Sequence, residues 1–261
     1  MKNAIIIFKK EIKEIAKNRS IWAPALVISI LFALVLPIAF IVGADTLLKE
    51  ESVSALFEKL FKESDLYESL VVFASKQLLV FLLLIPAMLP SLIAPASIIL
   101  EKESRTLEPL LATPIKTSEL LLGKSLTSIV PSFVLSTINF ILLSLAIDIA
   151  SYSRLGYILL PNLEWIIVAF LLSPLISFVI TMLSLIVSSK STDIRSAQGI
   201  GAAIIFPIYA VIGFQLGGFF LLNIFYLLLG CLFFLILCPL FLKIAIKVFD
   251  RENILTKWKL K

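Results

Sequence analysis

The sequence predicts an all-α integral membrane protein with six transmembrane helices. The 261-residue chain is 60% hydrophobic, which is more apolar than a soluble domain. Charged residues divide it into uncharged runs, and because a helix rises about 1.5 Å per residue, a run of roughly 20 residues crosses a hydrocarbon core. Five runs reach that length: 20–44, 77–100, 125–147, 165–189 and 196–242. The last has 47 residues, enough for two crossings joined by a short turn, so we expect six helices and both termini on one side.

Lysine and arginine are distributed unevenly between the two sides of these helices. Eighteen of the 23 lie on one side, in the segments 1–19, 101–124, 190–195 and 243–261. Basic residues are enriched in cytoplasmic segments, so we predict a multi-pass protein of the cell (plasma) membrane with both termini cytoplasmic. The basic residues flank the helices and do not form one patch, which argues against nucleic-acid binding.

The chain is predicted to have three parts. Residues 1–19 form an amphipathic helix in the membrane interface, 20–242 form the six-helix transmembrane domain, and 243–261 form a basic cytoplasmic tail. On the other side of the membrane, the long acidic segment 43–76 is expected to contain a second amphipathic helix over 52–63.

The apolar residues of the N-terminal helix share one arc when they are placed at 100° per residue, and Ile6 and Ile7 fall outside it. The arc consists of Ala4, Ile5, Phe8, Ile12, Ile15 and Ala16. We expect this arc to face the lipid of the membrane interface. Asn18-Arg19-Ser20 is expected to end the helix before the first transmembrane helix begins.

The second predicted transmembrane helix contains Pro86, Pro90 and Pro95. Each proline removes a backbone donor, and inside a membrane the carbonyl that it frees needs another partner. We therefore expect an irregular helix at this position.

The segment 101–124 is the longest polar insertion on the predicted cytoplasmic side. Thr106 can cap a short helix that Thr113-Pro114 ends, and Thr117 can cap the next helix, which runs on through the third crossing. Exposed leucines surrounded by charges favour a protein–protein contact. A second cytoplasmic loop is predicted over 188–198.

Several classes of chemistry are excluded. The chain has no histidine, and no transmembrane run contains a pair of carboxylates, so no metal site, cofactor or catalytic site is predicted. Gly123-Lys124-Ser125 resembles the end of a phosphate-binding loop, but Ser118 stands where that loop needs glycine. Cys231 and Cys238 are seven residues apart on one helix, about 10.5 Å, too far for a disulfide. The chain is thus not predicted to be an enzyme, and a transporter of this kind would take its energy from a partner.

The polar insertion carries a recognisable signature. Glu101-Lys102-Glu103, Thr106-Leu107-Glu108, Leu110-Leu111 and Pro114 resemble the E-x-E-x-x-T-L-E-x-L-L-x-x-P pattern of the ABC type-2 permease family. Ser104-Arg105 departs from the pattern, because many members have a glycine just before the threonine. The resemblance extends to Lys10-Glu11-Ile12-Lys13-Glu14, Asn18-Arg19, Glu119, Gly123-Lys124, Asp193-Ile194-Arg195-Ser196-Ala197-Gln198 and Pro207.

This resemblance implies a fold, partners and residue roles. The family has six transmembrane helices preceded by an interfacial elbow helix, over residues 2–18 in this chain. Two permease subunits, identical or different, pair around a pathway, and two copies of a cytoplasmic ABC ATPase drive mostly export. The resemblance assigns ATPase coupling to Glu101, Glu103, Thr106, Leu107, Glu108, Leu110, Leu111 and Pro114. It makes Asp193, Arg195 and Gln198 a secondary cytoplasmic contact.

Two other functions remain compatible with the residues. The first is a self-sufficient ion channel or secondary carrier, although no ionisable group is expected at mid-membrane. The second is a membrane anchor for a cytoplasmic complex.

Overall fold

Six helices in the structure are long and apolar enough to cross a membrane, and they confirm the predicted fold class. The computed structural model describes residues 2–49, 66–103, 115–191, 194–218 and 221–249, and these ranges contain no β-strand. We name the six helices span 1 (Ile21–Ala44), span 2 (Leu66–Glu101), span 3 (Thr117–Leu155), span 4 (Leu163–Ser189), span 5 (Gly199–Leu216) and span 6 (Ile224–Val248).

The helices that form these spans have the following bounds. Helix α1, Lys2–Ala16, precedes span 1. Span 1 is built from Arg19–Ile30, a π-helical segment Leu31–Val35 and Leu36–Leu48. Span 2 is built from Leu66–Leu79, a 3₁₀ segment Val80–Leu83 and Leu84–Glu103. Span 4 is built from Leu163–Ile166, a π-helical segment Ile167–Leu172 and Ser173–Lys190. Spans 3, 5 and 6 are the single helices Thr117–Leu155, Ile194–Leu216 and Ile224–Val248.

Span 2 lies at the centre of the bundle. The rest of the chain buries 83% of the most apolar stretch of span 2, but only 11% of the most apolar stretch of span 6. Span 2 also carries the predicted irregularity, since the 3₁₀ segment Val80–Leu83 comes just before Pro86. Pro90 frees the carbonyl of Pro86, four residues earlier, and Ser177 Oγ of span 4 donates a hydrogen bond to that carbonyl over 3.1 Å. The expected replacement partner is therefore a hydroxyl from a neighbouring span.

Helix α1 ends before Asn18 as expected, and the face that it buries against the bundle coincides only in part with the apolar arc. Ile7, which lies outside that arc, is only 8% exposed, whereas Ile5, which lies within it, is 48% exposed. The face that packs on the bundle carries Ala4, Ile7 and Ile15. Helix α1 therefore packs on span 3, in addition to the lipid interface that the sequence predicts for it.

Span 3 extends beyond the uncharged run 125–147, and the chain directly after Asp148 is helical. The helix continues to Leu155 and ends at Gly156, whose positive φ of 73° suits glycine. Asp148 Oδ1 accepts hydrogen bonds from the backbone N–H groups of Leu159 and Leu160, over 3.0 and 3.1 Å. The charge of Asp148 therefore does not end the helix, and its hydrogen bonds hold the segment that follows the helix.

The ends of several spans meet where α1 lies. Ala94 and Ile98 of span 2, Leu121 of span 3, Leu185 of span 4 and Phe249, just after span 6, belong to one buried cluster. We call this the α1 end of the bundle, and the other end the opposite end. Cys231 and Cys238 are both free, in agreement with their spacing. The predicted helix over 52–63 and most of the tail 243–261 lie outside the described residues.

Candidate functional site at the base of the 101–124 connection

The predicted coupling residues are only partly within the described ranges. Glu101 is the last residue of span 2, and Glu103 follows in the same helix with only its backbone described. Arg195 and Gln198 lie in the helix Ile194–Leu216, again with only the backbone described. Outside the described residues are Thr106, Leu107, Glu108, Leu110, Leu111, Pro114 and Asp193.

A buried lysine occupies the base of this connection. Lys124 of span 3 is 1% exposed. Its Nζ lies 2.5 Å from Glu11 Oε1 of α1 and 2.9 Å from Glu101 Oε2 of span 2. It also donates a hydrogen bond to the carbonyl of Ser97 over 3.3 Å. Lys124 thus donates two hydrogen bonds and also forms an ion pair with the second carboxylate, that of Glu101. We call Glu11, Glu101 and Lys124 the ion cluster.

The glycine that precedes the lysine explains how α1 reaches it. A Cβ added at Gly123 would lie 2.9 Å from the carbonyl oxygen of Ala4 and 2.9 Å from Ile7 Cβ. Only glycine therefore allows the two helix backbones to approach this closely. Because Glu11 follows Ala4 and Ile7 on the same face of α1, the close approach places its carboxylate over the lysine.

Two further contacts fix the position of α1. Asn3 Nδ2 donates a hydrogen bond to Glu119 Oε2 of span 3 over 2.9 Å, one helical turn before Gly123. At the other end of α1, Trp22 Nε1 of span 1 donates to the carbonyl of Ile15 over 3.0 Å. Helix α1 is thus held to span 1 and span 3 at separate points along its length.

The electrostatics of the ion cluster are unbalanced. Two carboxylates face one ammonium group, and Glu11 Oε2 has no hydrogen-bond partner among the described residues. Burial raises the pKa of Glu11 above its ordinary value of 4.5, and this effect outweighs the attraction of Lys124, which lowers the pKa. Keeping both carboxylates of the ion cluster ionised in this buried position therefore costs free energy.

A cavity of about 230 Å³ lies next to the ion cluster, between α1 and the last turns of span 2. Glu11, Glu14, Asn18, Ser97 and Glu101 give it a polar lining. Among the described residues, no group of three or more potential metal-ligating side chains occurs. We call the ion cluster and this polar cavity together the junction.

The junction joins three elements on either side of the 101–124 connection. Glu101 stands where the chain leaves span 2, and Lys124 stands two turns inside the helix by which the chain enters span 3. Glu11 ties both to α1. The ion cluster therefore ties span 2, span 3 and α1 together at this point.

Sequence reasoning did not find this junction. It noted Glu11 and Lys124 only as extensions of a signature, and it placed Glu11 on the polar side of α1. One signal was available: Glu11 falls on the face formed by Ala4, Ile7 and Ile15, where a lone carboxylate needs a buried partner.

The fold and the site define a class of protein: a polytopic helical membrane protein whose polar junction braces a connection between two spans. The sequence model of the ABC-2 family transporter proteins matches residues 5–228, and the chain belongs to that family. It is thus the permease component of an ABC transporter. No curated protein matches the chain significantly.

Proposed function

We propose that this chain is the permease subunit of an ATP-driven exporter and that a separate cytoplasmic ABC ATPase supplies the energy. The observation that carries the proposal is the ion cluster, which braces both sides of the 101–124 connection against α1. Such a buried cluster would hold the base of the connection in a fixed position, so that force from a partner would reach the spans and not be absorbed in the connection.

The position of span 2 supports the same mechanism. It is the most buried of the six spans, so a displacement of its end changes contacts throughout the bundle. ATP-driven closure of the ATPase dimer would push the 101–124 connection, and the ion cluster would pass that movement to spans 2 and 3. The pathway would then open alternately to the two sides of the membrane.

The residue roles follow from where each side chain lies. The Glu101 side chain is buried against Lys124, which suits a positioning residue. Direct contact with the ATPase is assigned to Glu103, Thr106, Leu107, Glu108, Leu110, Leu111 and Pro114. Asp193, Arg195 and Gln198 are proposed as the secondary contact.

The proposed assembly has two permease subunits and two ATPase subunits in the plasma membrane. The excess of lysine and arginine on the side of the α1 end supports a cytoplasmic location for both termini and for the 101–124 connection. The half-exposed Ile5 on α1 and the lysines beside it suit a lipid surface.

The test is purification of the full chain from native membranes in mild detergent, followed by assay of ATP hydrolysis in the co-purified fraction. We expect a stoichiometric ATPase that is lost or uncoupled in Glu103→Lys and Leu110→Asp. The matched control is Lys49→Glu, which reverses an exposed charge elsewhere and should retain the partner. A dimeric, intact chain without any ATPase would refute the proposal and favour a channel or secondary carrier.

A further inference from the structure

The cavity beside the ion cluster lies at the level where two spans end. Ile21, the first residue of span 1, lines the cavity together with Leu100, the last residue but one of span 2. Leu100 is 44% exposed, so this part of the lining reaches the surface of the bundle. The hydrocarbon core of a membrane ends where the apolar spans end, and the cavity is therefore at the depth of the lipid headgroups.

The lining of the cavity carries an excess of negative charge. Among the described residues that line it, three are carboxylates: Glu11, Glu14 and Glu101. Lys10 is the one basic residue among them, and its ion pair with Glu14 is long, at 4.0 Å, and exposed, so the pair is weak. Lys124 adds only one further positive charge from within the ion cluster. The described lining therefore suits a ligand that carries a positive charge.

One of these carboxylates also has an unused acceptor. Glu11 is only 4% exposed, and its Oε2 has no hydrogen-bond partner among the described residues. A buried acceptor without a donor costs free energy, and a second carboxylate in the same cluster adds to that cost. A cation with N–H donors would satisfy the acceptor and offset the excess charge together.

The chemistry of the lining favours a primary ammonium group over a quaternary one. A primary ammonium group carries three N–H donors, and its hydrogen bonds to carboxylates are strengthened by charge. A quaternary ammonium group has no N–H donor and is typically bound by aromatic side chains. None of the described residues around the cavity is aromatic.

We propose that this cavity binds the headgroup of a phospholipid with a primary ammonium group, phosphatidylethanolamine. The ammonium group lies against Glu11 and Glu14, the phosphate lies near Lys10, and the acyl chains follow Leu100 into the membrane. The volume of about 230 Å³ far exceeds what one ordered water needs and leaves room for a headgroup. A lysine of a partner protein would supply a similar cation, but the exposed Leu100 at the headgroup level favours a ligand with acyl chains.

The test compares phosphatidylethanolamine with phosphatidylcholine. Both lipids are zwitterionic, so the general attraction of the basic residues of α1 acts equally on them. The full chain is purified in detergent, incubated with an equimolar mixture of the two lipids with the same acyl chains, and analysed by native mass spectrometry. We expect several-fold more bound phosphatidylethanolamine than phosphatidylcholine, and equal amounts of the two in Glu11→Gln and in Glu14→Gln.

The variants are chosen to separate binding from folding. Glu14 is exposed, so Glu14→Gln changes the cavity without disturbing the buried ion cluster. Glu68→Gln is the control, because it removes a carboxylate at the opposite end, where Glu68 accepts a hydrogen bond from Tyr157, and it should keep the lipid preference. Equal binding of the two lipids by the unmodified chain would overturn the proposal, and so would a preference that persists in both cavity variants.

The experiment also distinguishes this site from the proposed function. Lipid binding needs neither ATP nor a partner, so a preference for phosphatidylethanolamine would support the site even if no ATPase co-purified with the chain. A chain without lipid preference that loses its ATPase in Glu14→Gln would refute the lipid site and assign the cavity to a cationic side chain of the partner.

Discussion

Gly123 and Ile7 approach so closely that a Cβ at position 123 would lie 2.9 Å from the Cβ of Ile7. This contact is the point at which α1 crosses span 3. It determines how far the carboxylate of Glu11 extends over Lys124, in the next position of span 3.

Replacement of Gly123 by alanine should displace α1 from the bundle. The new methyl group meets backbone and a Cβ, neither of which can move aside without moving α1. We expect faster proteolysis within α1 and weaker ATPase coupling. Gly199→Ala is the control, because a Cβ there meets nothing within 4 Å, and in a helix the exchange is stabilising by about 0.5–1 kcal/mol. Equal protease resistance of the two variants would contradict the role given to Gly123.

Removal of the lysine from the ion cluster should be far more damaging than removal of one carboxylate. Lys124→Met leaves Glu11 and Glu101 buried without a counter-charge, and breaking a buried pair in this way costs roughly 3–5 kcal/mol. Glu11→Gln leaves Lys124 paired with Glu101 and should cost much less. Thermal unfolding in detergent compares the variants, and a larger loss for Glu11→Gln than for Lys124→Met would disprove the expected order.

Glu11 should make stability fall as the pH rises from 4.5. Its folded pKa is raised, so between the ordinary and the folded value the folded state binds more protons than the unfolded state. The contribution of Glu11 is therefore most favourable below pH 4.5 and is lost as the pH rises through the folded pKa. The melting temperature of Glu11→Gln, relative to the unmodified chain, should increase across this window.

The control for the pH experiment is Glu14→Gln, which removes an exposed carboxyl from the same helix. The increase in relative melting temperature across the window should be larger for Glu11→Gln than for Glu14→Gln. If the melting temperature of Glu11→Gln relative to the unmodified chain stayed constant or fell across the window, burial would not dominate the titration of Glu11.

Ser177 should stabilise span 2 through one hydrogen bond. Ser177→Ala leaves the carbonyl of Pro86 without its donor, and we expect a loss of about 1 kcal/mol in the free energy of unfolding. Ser184 is a matched control on the same span, equally buried, and its hydroxyl has no hydrogen-bond partner among the described residues. If Ser184→Ala destabilised the protein as much as Ser177→Ala, the effect would come from packing and not from the proline.

The sequence predicted the spans well because charge boundaries in a membrane protein reflect the cost of placing charges in lipid. Asp148 shows the limit of that reasoning, since its charge is paired with backbone N–H groups and the helix continues past it. The coupling signature gave the position of the connection. It did not give the ion cluster, because Glu11 and Lys124 are 113 positions apart and no local period links them.

That separation also has a consequence for biogenesis. Helix α1 is synthesised before Lys124, so Glu11 lacks this partner while spans 1 and 2 enter the membrane. The ion pair can form only after span 3 arrives beside the other two. The cluster can therefore close only when the first three spans are in place, and its closure distinguishes a correctly inserted N-terminal half from one in which a helix is missing or inverted.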